Sequence, residues 1–219
     1  MSLAESDIFE VFYANADPDK AEPMAAYMKN ICPFLGISKP QRASISRSFL
    51  KQCKNADSID WAFVDKCWSL EREFQYLALE YLRTVASLLT DQDVPKLKKL
   101  AVTKSWWDTV DSLDRIVGGI ALEYPVVNDT LLAWSAGDNL WLRRLAIDHQ
   151  LLRKEKTNTV LLEKIIVNNL NQKEFFINKA IGWSLREYSK TEPDWVRSFI
   201  DRHRDGLSAL SVREASKYL

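Results

Sequence analysis

The sequence predicts an all-helical protein assembled from repeated helix pairs. Three observations carry that expectation. Apolar residues recur at helical spacing along nearly the whole chain, while strict period-two alternation is rare. Only 6 Gly and 7 Pro occur in 219 residues, too few for the turn-rich chemistry of an all-β fold. Helix-start signals recur, with Ser or Thr followed three residues later by an acid.

Taken in chain order, Phe74, Leu77, Ala78, Tyr81 and Leu82 form one apolar stripe. Thr90-Asp-Gln-Asp93 and Ser105-Trp-Trp-Asp108 read as capping boxes, as do Thr191-Glu-Pro-Asp194 and Ser211-Val-Arg-Glu214. Between them, Phe176, Ala180, Trp183 and Leu185 belong to a helix with more than one buried side. Pro193 falls in a first helical turn, where its missing N–H costs nothing. Roughly twelve to fourteen helices joined by short links are expected. No long linker or low-complexity segment interrupts them, so residues 1–219 are expected to form one domain.

A weak internal period runs through the tryptophans. Trp68, Trp107, Trp141 and Trp183 are separated by 39, 34 and 42 residues. The last three each precede a charged residue by one turn: Trp107 with Asp111, Trp141 with Arg144, and Trp183 with Arg186. A period near 40 fits helical-hairpin repeats of the HEAT or armadillo kind, an α-α superhelix whose inner helices line a concave surface. These pairs are either that lining or core tryptophans beside solvated charges.

Composition narrows the function classes. Thirty basic side chains balance thirty acidic ones, and neither half of the chain is a basic tail. A nucleic-acid surface would therefore require local segregation of charge. Cys32, Cys53 and Cys67 form no CxxC pair and read as reduced thiols. With only His149 and His203, and no HExxH, neither metal nor organic cofactor is expected. The opening Met-Ser-Leu-Ala-Glu-Ser-Asp lacks the regions of a signal peptide. No uncharged apolar run approaches the ~20 residues of a membrane span. A cytoplasmic monomer without membrane contact is expected.

Three stretches carry a resemblance: Thr103-Lys-Ser-Trp-Trp-Asp-Thr-Val-Asp-Ser112, Asp138-Asn-Leu-Trp-Leu-Arg-Arg-Leu-Ala-Ile147 and Lys173-Glu-Phe-Phe-Ile-Asn-Lys-Ala-Ile-Gly-Trp-Ser-Leu-Arg-Glu-Tyr188. With Ala21-Glu-Pro-Met-Ala-Ala-Tyr-Met-Lys-Asn30, Glu71-Arg-Glu-Phe74 and Ser211-Val-Arg-Glu-Ala215, they closely resemble the AlkD family of bacterial alkylation-repair DNA glycosylases. The blocks follow the same order at near-constant spacing. The resemblance implies a HEAT-like solenoid holding duplex DNA in its concave face and excising cationic bases such as N3-methyladenine and N7-methylguanine. It matches Asp111 to the catalytic carboxylate, Trp107 and Trp183 to the cleft tryptophans, Arg144 to the cleft arginine and Tyr27 to an aromatic at the cleft edge. Further DNA contacts are expected from Lys104, Trp106, Arg143, Lys179 and Arg186. The run Leu113-Asp-Arg-Ile-Val-Gly-Gly119 departs from the family's usual sequence.

The residue types suit that chemistry. Alkylation at a ring nitrogen makes the base cationic and a good leaving group, so no acid is needed to protonate it. The sugar then develops oxocarbenium character, which one carboxylate can stabilise while orienting a water. Tryptophan faces attract cations. Arg144 can fork onto a phosphate or pair with Asp148 at i+4. Two other uses of such an array are a non-catalytic binder of damaged or branched DNA and a protein-interaction scaffold. Whether the lesion is flipped out or left in the duplex is open at this level.

Overall fold

A computed structural model describes residues 5–219, with side chains from Asp7. The opening Met1-Ser-Leu-Ala lies outside the described residues. Among these residues there are thirteen α-helices, four short 3-10 turns and no strand, as the apolar period predicts. No helix among them is long and apolar enough to cross a membrane. All three cysteines are thiols.

The chain divides into two compact units. Among the described residues, the first comprises 5–89 and 104–109. It contains α1 (Glu5–Ala14), α2 (Pro18–Tyr27), α3 (Lys39–Cys53), α4 (Trp61–Ser69) and α5 (Arg72–Thr84). The expected α5 stripe is its spine: Phe74, Leu77, Ala78, Tyr81 and Leu82 are all buried. Phe9 and Phe12 of α1 each pack 5.1 Å from the Phe74 ring, and Phe63 of α4 lies 5.2 Å from Tyr81. A buried carboxylate sets the α2–α3 connection, where Glu73 accepts the backbone N–H groups of Leu35, Gly36 and Ile37 at 2.9, 2.9 and 3.1 Å. Three donors offset the cost of burying that charge. Gly36 has φ +85°, and a Cβ there would lie 2.1 Å from the Asp17 carbonyl oxygen, so no other residue fits.

The second unit comprises residues 90–103 and 110–219. It contains α6 (Val94–Ala101), most of α7 (Trp107–Glu123), α8 (Val127–Ser135), α9 (Leu140–Asp148), α10 (Thr159–Val167), α11 (Phe175–Ser189), α12 (Pro193–Arg202) and α13 (Ala209–Ala215). Helix α11 packs against α9, α12 and α13. Its Ile177, Ala180, Ile181 and Leu185 are buried, which explains the apolar character of more than one side. At Gly182 a Cβ would meet the Glu214 Cβ at 2.6 Å, so α11 and α13 approach with no room for a side chain.

Helix starts follow local chemistry, though not always the predicted residue. The Thr90–Asp93 box forms, with the Asp93 carboxylate accepting the Thr90 N–H at 2.9 Å. Asn139 caps α9 by accepting the N–H groups of Trp141 and Leu142, both at 3.0 Å. Two of the other boxes need correction. Helix α12 has Glu192 at its N-cap without a side-chain bond, and Asp194 pairs with Arg197 instead. Helix α13 is capped by Ser208, which accepts the Ser211 N–H at 3.0 Å. Ser211 therefore lies inside the helix, and its hydroxyl donates to the Asn178 carbonyl at 2.8 Å.

Candidate functional site

The second unit contains the strongest constellation of functional groups. Asp111 lies in α7, Arg144 in α9 and Trp183 in α11. Arg144 forks onto the Asp111 carboxylate, with Nε to Oδ1 and Nη2 to Oδ2 both at 2.7 Å. Its Nη1 donates to the Phe176 carbonyl at 2.7 Å. The guanidinium carbon lies 6.0 Å from the Trp183 ring centroid and 5.9 Å from that of Phe176. Arg186 stands 5.8 Å over the same Trp183 ring, so this half-buried indole is flanked by two guanidinium groups.

Burial and hydrogen bonding define the chemistry of this group. The Arg144 side chain is 3% exposed, whereas Asp111 keeps 18%. Burial pulls the Arg144 guanidinium down, but the Asp111 carboxylate and the nearby Asp148 and Asp114 together hold it above its ordinary value. Arg144 is thus a fixed cation. A carboxylate has about four lone-pair sites, and a fork occupies two of them. Asp111 is left oriented, with capacity to accept a further proton or attract a cation.

Two aspartates lie behind this pair. Carboxylate oxygens of Asp111, Asp114 and Asp148 lie within 4.8 Å of one another. Asp114 and Asp148 are fully buried, and Asp148 lies 3.8 Å from Arg144 Nη2. Burial, followed by repulsion from Asp148 and Asp111, pushes the Asp114 carboxyl well above its usual range. Burial also raises Asp148 to about 8, against the pull of Arg144. Such an oxygen cluster is the donor set hard cations favour. Arg144 already supplies the compensating charge here, and a cation would compete with it and with the bound protons.

The other predicted residues divide between the units. Arg143 is half-buried, and its Nε donates to Asn169 Oδ1 at 2.8 Å. Lys179 and Arg186 both pair with Glu214 at 3.0 Å, and Lys217 adds a third contact at 2.9 Å. Hydrogen bonds from Lys217 and Lys179 lower the Glu214 carboxyl to about 2. Arg186 Nε keeps no partner among the described residues.

In the first unit, Tyr27 ends α2 and is 72% exposed. The Lys104 ammonium donates to the Ser69 and Leu70 carbonyls at 2.8 and 3.1 Å. Trp106 and Trp107 are half-buried, and Trp107 begins α7 one turn before Asp111. Among the periodic tryptophans, Trp68 alone is fully buried, so the repeat mixes core and partly open positions.

Sequence reasoning missed a second fork. Arg72, completely buried, grips Asp108 through Nε at 2.9 Å and Nη2 at 2.5 Å. The Tyr76 hydroxyl donates to the same carboxylate at 2.5 Å. The available signal was an arginine in Glu71-Arg-Glu-Phe74 paired with the acid of the Trp-Trp-Asp run, but nothing local relates positions 36 residues apart.

Among the described residues, all of them in helices or the links between, an oriented carboxylate thus stands beside a buried guanidinium and an indole. The chain belongs to the DNA alkylation repair enzyme family, which matches residues 8–219 and so runs through both units. It is similar to the solved structure of a predicted DNA alkylation repair enzyme from Enterococcus faecalis, with 36% identity and a TM-score of 0.82. The likeness covers 93% of this chain and 96% of that one. No curated protein matches the chain.

Proposed function

We propose that this protein is a monofunctional DNA glycosylase that hydrolyses the N-glycosidic bond of cationic alkylated bases, including N3-methyladenine and N7-methylguanine, in duplex DNA. The observation that carries the reading is the Asp111 carboxylate, partly exposed yet fixed by the Arg144 fork beside Trp183. Membership of an alkylation-repair family supports DNA as the partner.

The lesion supplies its own leaving group, because the departing base neutralises its positive charge as the bond breaks. Asp111 stabilises the positive charge that develops on the sugar and accepts a proton from the attacking water. Arg144 fixes the orientation of that carboxylate through its fork. Trp183 offers a π-face to the cationic base or sugar, and Trp107, one turn before Asp111 in α7, is assigned the same role. Tyr27, Lys104, Trp106, Arg143, Lys179 and Arg186 are assigned to DNA contact. In this reading residues 1–219 act as one HEAT-like domain, a cytoplasmic monomer with no metal or organic cofactor.

The test is release of free N7-methylguanine from a methylated duplex by the purified protein. Release above the spontaneous rate, with the strand left intact, is the expected result. DNA binding without release would make the protein a non-catalytic binder. Neither binding nor release would favour the interaction scaffold.

A further inference from the structure

Helix α3 carries Lys39, Arg42, Arg47 and Lys51 and no acidic residue, although the chain as a whole is charge-balanced. Arg42 turns inward, with its guanidinium 4.3 Å over the Tyr76 ring and 3.9 Å from Glu80. Arg47, Lys51 and Lys54 follow at i, i+4 and i+7, which aligns them on one side of the helix. Together with Arg83 in the last turn of α5 they line a groove of about 550 Å³ within the first unit. All four cations are exposed, and none has an ion pair or hydrogen bond among the described residues. The acid in the groove, Glu80, already faces Arg42.

Helix ends attract cations, so the placement of Lys51, Lys54 and Arg83 in last turns has a local reason. That effect fades within one turn and does not reach Arg47. Like charges one turn apart repel, and no ion pair to these four cations among the described residues offsets that repulsion. The cations expected from the sequence to meet DNA differ in this respect. Arg144, Lys179 and Arg186 are engaged by carboxylates, Lys104 by carbonyls and Arg143 by an amide. The free positive charge of this groove thus has no counterpart among them.

We propose that the α3–α5 groove is a phosphate track for duplex DNA, in which Arg47, Lys51, Lys54 and Arg83 neutralise backbone phosphates without reading sequence or lesion. Long side chains rising about 6 Å and then 4.5 Å along α3 can engage more than one phosphate. Arginine and lysine are the residues that make such contacts, and each contact displaces condensed counterions. The proposal rests on DNA as the partner and is independent of base excision.

The experiment measures binding of the full-length chain to an undamaged duplex across a salt series. The variant combines Arg47→Gln, Lys51→Gln, Lys54→Gln and Arg83→Gln. The slope of log affinity against log salt should become shallower by about 0.9 per lost contact, and so by about 3 to 4 in total. A companion variant with Arg47→Lys and Arg83→Lys keeps the charge and should keep the slope. If the fourfold variant unfolds more readily, Arg47→Gln and Lys51→Gln alone should each lower the slope by about 0.9. A slope that changes by less than one in the fourfold variant overturns the proposal, as does a wild-type protein that binds no duplex. Undamaged DNA isolates this readout, so a failure of base release leaves it standing.

Discussion

Helix α7 carries two aspartates three residues apart, and each is gripped by an arginine fork, yet the two pairs are finished differently. Around Asp108, Arg72 and Tyr76 give the carboxylate three hydrogen bonds in a buried setting. Arg72 and Asp108 are 1% and 7% exposed, Tyr76 donates to the carboxylate, and the remaining Arg72 nitrogen serves Gln75 and the Lys104 carbonyl. Burial and the charge of Asp108 raise the Tyr76 hydroxyl above its ordinary value, so it stays a donor. Around Asp111 the carboxylate keeps an open edge, and its arginine lies beside an indole. One ion pair can therefore serve two ends. A closed fork ties a structure together, while an open fork presents a fixed charge to something outside.

That contrast can be broken most forcefully at the closed pair. Asp108→Asn should leave the buried Arg72 without its counter-charge and destabilise the protein by about 3–5 kcal/mol. At about 2–4 °C per kcal/mol, the Tm would fall by about 6–20 °C. A thermal melt showing a loss under about 1 kcal/mol would mean that the pair does not hold the first unit together.

The pH dependence sharpens the comparison on the open side. Folded Asp148 titrates at about 8, whereas an unfolded aspartate titrates near about 3.9. Folding therefore takes up a proton between those values, and this contribution to stability is lost as pH rises through that window. Asp148→Asn has no proton to lose. Its Tm advantage over wild type should widen from about pH 4 to about pH 8 and then level off. A Tm difference independent of pH would contradict the protonated state. A smaller effect is expected at the ring: Trp183→Ala should slow base release about two- to thirty-fold, corresponding to about 0.5–2 kcal/mol of cation–π attraction. A single-turnover rate equal to that of the wild type would remove Trp183 from the chemistry.

Much of the fold was legible because helical periodicity is local. The α5 stripe and the Thr90–Asp93 box depend on residues three or four apart, and both form as read. What the local pattern left out has one cause: partners and competitors on residues it did not weigh. Ser211 lost its capping role because Ser208 offers a hydroxyl three residues earlier. Lys179 and Arg186 read as a solvated or DNA-facing pair, but Glu214, on another helix, holds both. Arg144 read as a phosphate clamp or an i+4 partner of Asp148, and the i+4 contact forms at 3.8 Å. Its main partner is Asp111, 33 residues away, and spacing within one helix carries no information about a neighbouring one. Helix α3 shows the reverse case: its lack of acids was visible in the sequence, but only packing revealed which cations remain unpaired.

In the proposed function Asp111 is an open, charged reagent rather than a second structural tie. The most direct measurement is the single-turnover rate of N7-methylguanine release by Asp111→Asn at saturating enzyme, which separates chemistry from binding. Asn keeps the shape and an acceptor oxygen for Arg144 but loses the negative charge. The predicted result is a protein that folds and binds DNA, with a release rate lowered by about 10²–10³, as expected for losing one electrostatic stabiliser. Release at the wild-type rate would contradict the catalytic assignment and leave a DNA-binding protein with two structural forks.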